Sequence, residues 1–153
     1  MDIRQATPAD LDLVTPLFDG YRQFYRQTSD LPLCREFIAD RLRRKDAVIF
    51  LAQQDGQALG FVQLYPVFSS TAGRPGRSWL LNDLYVVPEA RGRGVGRALM
   101  ERARRLGEET GARSIELATE ADNRTAQALY ESLGYRRDEV WVYGLTLGGG
   151  QPG

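Results

Sequence analysis

Between Asn82 and Met100 the chain reads NDLYVVPEARGRGVGRALM, and the chemistry concentrated there is that of anion binding. An extended apolar run, Leu80 to Val87, stops at Pro88. Arg91, Gly92, Arg93, Gly94, Val95 and Gly96 (RGRGVG) then lead into a helical apolar pattern of Val95, Leu99, Ala103 and Leu106. The order is strand, glycine-rich turn, helix start. The first turn of a helix leaves N–H groups without partners and carries partial positive charge, and glycines let an incoming group approach without meeting a Cβ. Three glycines where a helix must begin are poor for stability, at about 1 kcal/mol each inside a helix, which argues against a surface loop without a ligand.

The glycine spacing narrows the anion. A dinucleotide fingerprint would be GxGxxG and a triphosphate loop GxxxxGK[ST]; here the segment is GxGxG followed by Arg97, so both common phosphate loops are disfavoured. With Arg91, Gly94 and Gly96 in place, the stretch resembles the R/Q-x-x-G-x-G/A signature of the GNAT superfamily of N-acetyltransferases, which holds the pyrophosphate of acetyl-CoA. A second stretch, Asp122 to Tyr135 (DNRTAQALYESLGY), resembles the same family. There an asparagine before a helix contacts the CoA arm and a tyrosine seven residues later lies beside the thioester sulfur; Asn123 and Tyr130 have that spacing, and Gly134-Tyr135 matches the usual ending. The likeness covers Asp83 to Tyr135 well and the N-terminal helices in layout. The LNDLYV start of the central strand and the W-x-Y-x-L-x-L ending look like the branch of spermidine/spermine and small histone-type acetyltransferases, whose members commonly form homodimers, in part through C-terminal strands.

The resemblance implies an acetyl-CoA-dependent N-acetyltransferase acting directly on a primary amine of a small molecule or peptide. A lysine-like amine, with a pKa near about 10.4, has roughly one molecule in a few thousand deprotonated at pH 7, so a base is required, while the departing thiolate benefits from a donor. By resemblance Tyr130 is that donor. Polyamine-type members carry a glutamate at the position of Asn82, which cannot ionise. Asp83 is adjacent but in a regular strand points to the opposite face; either a bulge re-aims it, or the base is Glu116, Glu120 or a water chain. Backbone groups of Leu84, Tyr85, Val86 and Val87 are expected to pair with the pantetheine arm, and the N–H groups of Arg91 to Arg97 to cradle the pyrophosphate. The Arg91 side chain is expected to fix the loop; those of Arg93 and Arg97 are phosphate ligands or simply solvated. The competing reading is a non-catalytic acyl-CoA-binding or regulatory module on the same fold. Other acyl groups, alcohols or protein N-termini as acceptors are not separated by any sequence feature.

Composition limits the alternatives. The chain has no histidine, which excludes imidazole bases, Ser-His-Asp and Cys-His nucleophile systems and histidine metal sites. The single cysteine, Cys34, falls in the helical pattern of Leu33, Phe37 and Ile38 and reads as a small core residue. Formal net charge is zero and Lys45 is the single lysine, so the cationic residues are nearly all arginines, balanced by acids along the chain. That is no nucleic-acid footprint, although arginine suits phosphate. No apolar run approaches the roughly 18 residues of a membrane span and no signal-peptide pattern opens the chain, so a cytoplasmic protein is expected.

The elements that must position these groups are legible in outline. The 153 residues suit one domain, 1–147, with a flexible tail over 148–153. Ile3 to Ala6 reads as a strand. Thr7 and Pro8 start a helix carrying Leu11, Val14, Leu17, Phe18, Tyr21, Phe24 and Tyr25, and a second helix follows over Leu33 to Arg43. This pair is expected to wall the acceptor site, with Asp19, Asp30 and Glu36 as substrate contacts or, alternatively, as packing and solvated charge. Ala47 to Gln53 and Ala58 to Pro66 are strands around a Gln54-Asp55-Gly56-Gln57 turn, Phe68 to Gly76 is a loop, and Trp79 to Val87 is the central strand. After a helix to about Thr110 come a strand at Ser114 to Thr119, forming a parallel pair at the middle of the sheet, the Asp122 helix, and a final strand at Val140 to Leu147. The predicted class is α/β (α+β): a mixed, mostly antiparallel central sheet flanked by helices, as in the GNAT acyl-CoA N-acyltransferase fold.

Overall fold

The computed structural model describes residues 1–70 and 75–148, so part of the expected Phe68 to Gly76 loop and all but Gly148 of the expected tail lie outside the described residues. Contacts divide the chain into two compact units, Met1–Ala118 and Thr119–Gly153. The first runs β1 (Asp2–Gln5), a 3-10 turn (Pro8–Asp10), α1 (Leu11–Phe24), α2 (Leu31–Arg44), β2 (Val48–Gln54), β3 (Gln57–Ser69), β4 (Gly76–Val86), a second 3-10 turn (Pro88–Ala90), α3 (Val95–Glu109) and β5 (Ile115–Glu116). The described part of the second contains α4 (Arg124–Ser132).

The sheet order is β1-β2-β3-β4-β5, antiparallel except for the β4–β5 pair. The meander follows from its turn chemistry. Asp55 and Gly56 both take positive φ (53° and 77°) in the two-residue β2–β3 turn, the backbone hand that matches strand twist. The parallel pair therefore sits at the sheet's edge, not at its middle as expected. Only Trp79 and Leu80 pair with Ile115 and Glu116, so β5 is far shorter than Ser114 to Thr119.

Two apolar layers sandwich this sheet. On one face Val14, Leu17 and Phe18 of α1 and Cys34, Ile38 and Leu42 of α2 pack on Ile49, Leu51 and Phe61. On the other α3 buries Val95, Leu99, Met100, Ala103 and Leu106; Trp79 Nε1 donates to Thr110 Oγ1 (3.0 Å) and the Arg102 guanidinium lies 4.3 Å over the Phe50 ring. The Thr7-Pro8 start is realised as a 3-10 turn leading into α1, held by Thr7 N–H on Asp10 Oδ2 (2.8 Å) and a forked Arg4–Asp10 pair. Helix α2 begins two residues before the expected Leu33, because Asp30 caps it by accepting from the Leu33 N–H (3.1 Å) and Pro32 fits the first turn.

One expected strand is absent among the described residues. Val140 to Leu147 carries the alternating pattern but pairs with no ladder, and Val140, Trp141, Val142, Tyr143, Leu145 and Leu147 are 73–92% exposed. Alternation supplies faces; a strand also needs a neighbouring backbone to bond with.

Candidate functional site

Strand β4 changes face at Asn82. Gln63 pairs with Asp83 but Leu64 pairs with Leu81, so Asn82 is an extra residue, a β-bulge. Before it, Trp79 faces α3, as its bond to Thr110 shows. After it, Tyr85 packs with the α1–α2 core although six residues would otherwise return it to the α3 side. Asp83 shares the new phase, and this is the re-aiming that the sequence left open. The Tyr21 hydroxyl of α1 donates to the exposed carbonyl of the bulge, Asn82 O (3.0 Å), and lies against the Asp83 carboxylate.

Asp83 is 3% exposed. Burial pushes its carboxyl pKa up, while hydrogen bonds from Gln63, Tyr21 and Asn82 partly oppose the rise. Gln63 Nε2 donates to Oδ2 at 2.5 Å and Asn82 Nδ2 to Oδ1 at 3.1 Å. Tyr65, on the same face of β3, has its hydroxyl pKa pushed up to about 12, chiefly by burial and then by the charge of Asp83. The other proposed bases, Glu116 and Glu120, are exposed. A carboxyl whose pKa is raised is a better proton acceptor than an ordinary one, provided that it is ionised at working pH.

Beyond the bulge, alternate residues of β4 turn their backbone groups to opposite edges. Val87 N–H bonds Leu59 O (2.9 Å), so Val87 and Tyr85 face β3. Leu84 and Val86 face the other edge, where pairing with β5 has ended at Leu80. This narrows the expected pantetheine contacts: of Leu84, Tyr85, Val86 and Val87, the N–H and C=O of Leu84 and the N–H of Val86 are placed to bond an added strand-like ligand. Val86 O is taken by Arg91 Nε (3.0 Å).

That bond and two ring faces hold Arg91. Its guanidinium lies 5.6 Å from the Tyr85 ring and 5.7 Å from that of Phe24. Its own N–H bonds Pro88 O, so of the donors expected from Arg91 to Arg97 this one is already engaged. Gly92 (φ 77°) and Gly94 (φ 82°) take the left-handed conformation, and a Cβ at either would meet nothing within 4 Å. The α3 ladder opens with Ala98 N–H on Gly94 O, so the N–H groups of Val95 and Gly96 precede it and have no acceptor inside the helix. Open space above glycines and unengaged helix-start donors fit a pyrophosphate. Arg93 and Arg97 flank the same turn.

The expected acidic contacts of the helical wall divide by burial. Asp19 is 5% exposed and saturated: it accepts from Ser29 Oγ (2.7 Å), Asp30 N–H (2.8 Å), Gln23 Nε2 (2.9 Å) and Cys34 Sγ (3.5 Å). Burial pushes its pKa up, but those donors outweigh it and leave it lowered. Asp30 caps α2. Both build the α1–α2 connection. Burial also pushes the Cys34 thiol up, which suits a core residue and not a nucleophile.

In the second unit, Asn123 caps α4 through Oδ1, which accepts from Ala126 N–H (3.3 Å), so Nδ2 is the end left for another contact. Tyr130 is half-buried on α4, 6.1 Å from the Tyr135 ring, and Gly134, two residues past the last helical residue, takes φ 95°. The sequence reading passed over Gln63. Its signal was a lone amide inside the apolar run LGFVQLY.

The chain matches the Acetyltransferase (GNAT) family over residues 12–135. It is 44% identical over 143 residues to the uncharacterized N-acetyltransferase YhfO of Bacillus subtilis (strain 168), covering 94% of this chain and 95% of that protein. Among solved structures, a probable acetyltransferase superposes with a TM-score of 0.89 at 45% identity, over 97% of this chain and 99% of the other. An aminoglycoside N-acetyltransferase in complex with CoA shares the fold, with a TM-score of 0.81 at 23% identity over 95% and 93% of the two chains. The chain belongs to the GNAT family and is an acetyl-CoA-dependent acetyltransferase.

Proposed function

We propose that the protein transfers the acetyl group of acetyl-CoA directly to a primary amine of a small molecule or peptide, using Asp83 as base and Tyr130 as acid. The observation that carries this reading is the course of β4. Within one strand end it joins a buried carboxylate at a bulge, an open edge at Leu84 and Val86, and the glycine-lined start of α3. At about 3.3 Å per residue the bulge and the strand end lie ~13 Å apart, so one extended ligand can touch both. Bound acetyl-CoA supplies the acetyl group already activated as a thioester, which removes any need for a protein nucleophile.

In this reading Leu84 and Val86 align the pantetheine arm, the N–H groups of Gly92 to Gly96 hold the pyrophosphate, and Arg93 and Arg97 add charge. Asn123 Nδ2 bonds the arm. Asp83 takes the proton of the acceptor ammonium, directly or through the Tyr21 hydroxyl, and Tyr130 gives a proton to the thiolate. We infer one functional domain over 1–147, since the family match runs across both compact units. We also infer a homodimer in which a second copy covers Val140 to Leu147; light scattering should then show Trp141→Ser weakening a dimer, and a wild-type monomer would refute it. No described helix is long and apolar enough to cross a membrane, and the cytoplasm is the setting we infer.

The test is thiol release from acetyl-CoA across polyamines, amino acids, aminoglycosides and lysine peptides. Release that depends on one of these amines supports the proposal. Tight acetyl-CoA binding without turnover on any would oppose it and favour a binding module.

A further inference from the structure

We propose that Gln63 is a positioning residue for Asp83, its amide fixing the direction of the buried carboxylate and holding it in the charged form that takes a proton. This rests on the reading of Asp83 as the base. The two residues face each other across β3 and β4, and the 2.5 Å bond from Nε2 to Oδ2 joins them. Both are sealed from solvent, at 0% and 3% exposure.

Phe61, two residues earlier on the same face of β3, is a fully buried hydrophobic packed in the α1–α2 core, and an apolar side chain at position 63 would extend that layer. A buried amide is favourable only when both ends are bonded, yet Gln63 Oε1 has no hydrogen-bond partner among the described residues. One end serves Asp83 and the other lacks a donor beside it, a cost the chain bears for the bond to Asp83. Among the described residues no cation is bonded to Asp83 in its place: Gln63 and Asn82 donate to its carboxylate, and the Tyr21 hydroxyl lies against it. The titratable groups around it are Tyr21 from α1 and Tyr65 from β3, with Arg41 of α2 and Asp46 acting on Tyr65. With burial raising the Asp83 pKa, the Gln63 bond is the first of the influences that bring it back down. The step it serves balances simply. The ammonium proton passes to an Asp83 oxygen, the electron pair stays on nitrogen for attack, and the proton leaves later to solvent.

The experiment follows the Asp83 carboxyl by 13C NMR titration of the whole, ligand-free chain, alongside kcat/KM against pH for the best amine. Gln63→Met keeps the length and removes the donor. The Asp83 midpoint should rise by about one pH unit, with the acid limb of kcat/KM moving alike and KM for acetyl-CoA unchanged. Gln63→Glu, nearly isosteric, creates two carboxyls sharing one proton, and the later midpoint should rise further; it carries the test should Gln63→Met not fold. An unmoved Asp83 midpoint in either folded variant overturns the inference. A moved midpoint with an unmoved rate profile overturns Asp83 as the base and leaves the Gln63–Asp83 pairing standing.

Discussion

Replacing Gly94 by leucine should separate cofactor binding from folding. Gly94 holds φ 82°, which a side-chain-bearing residue adopts at a cost of about 1–2 kcal/mol. Its missing Cβ would meet no atom within 4 Å, so no repacking adds to that cost. At about 2–4 °C per kcal/mol for a chain of this size, Tm should fall by ~2–8 °C and the protein should remain folded. Binding should suffer far more, because leucine fills the space through which a phosphate reaches the N–H groups of the α3 start. Losing two hydrogen bonds to a charged group, each about 1.5–3 kcal/mol, weakens CoA by roughly 10²- to 10⁴-fold. A control is built into the β2–β3 turn. Gly56 has a similar φ of 77° and equally open surroundings, so Gly56→Leu should lower Tm by a similar amount and leave CoA affinity intact. Calorimetric titration with CoA and a thermal melt of both variants decide the matter. Equal CoA affinity in the two would refute the assignment of the loop.

Three further outcomes are expected. Tyr130→Phe should lower turnover by about 10²- to 10⁴-fold with acetyl-CoA affinity unchanged, and full activity would mean that water protonates the sulfur. Asp83→Asn should remove the acid limb of the kcat/KM profile, which in the wild type should lie above the ordinary carboxylate range because burial raises that pKa; a profile identical to wild type would exclude Asp83. Asp10→Asn should cost about 2 kcal/mol at neutral pH, less in high salt because Arg4 is partly exposed. The Arg4 hydrogen bonds hold the Asp10 pKa down at about 2, so the stabilisation is complete above its unfolded value near 4 and is lost as pH falls from there toward 2. The Tm gap between wild type and Asp10→Asn should close over that interval, and a pH-independent gap would contradict the ion-pair account.

The parts of the site that rest on local backbone chemistry were readable in the sequence. The glycine-rich turn of RGRGVG before α3 and the Gln54-Asp55-Gly56-Gln57 hairpin turn each announce themselves in a few adjacent residues. What depends on a partner strand was not readable. The bulge at Asn82 is a mismatch between β3 and β4, invisible in β4 alone, and it decides that Asp83 faces α1 and α2. Gln63 gains its meaning only from that register. The reverse error occurred at Val140 to Leu147, where a clear period of two found no ladder, and at β5, where the strand expected over Ser114 to Thr119 pairs through two residues. Asp19 was open in the sequence between a substrate contact and a packing role, and its four donors fit the packing role.

The most direct test is to identify the product. Acetyl-CoA carrying a labelled acetyl group is incubated with the amine that gives the fastest thiol release, and the acceptor is analysed by mass spectrometry before and after hydroxylamine. The account predicts one acetyl group on nitrogen per thiol released, stable to hydroxylamine, with no acetylated form of the protein on the way. A hydroxylamine-labile ester, or label held by the protein and passed on, would contradict direct transfer to an amine.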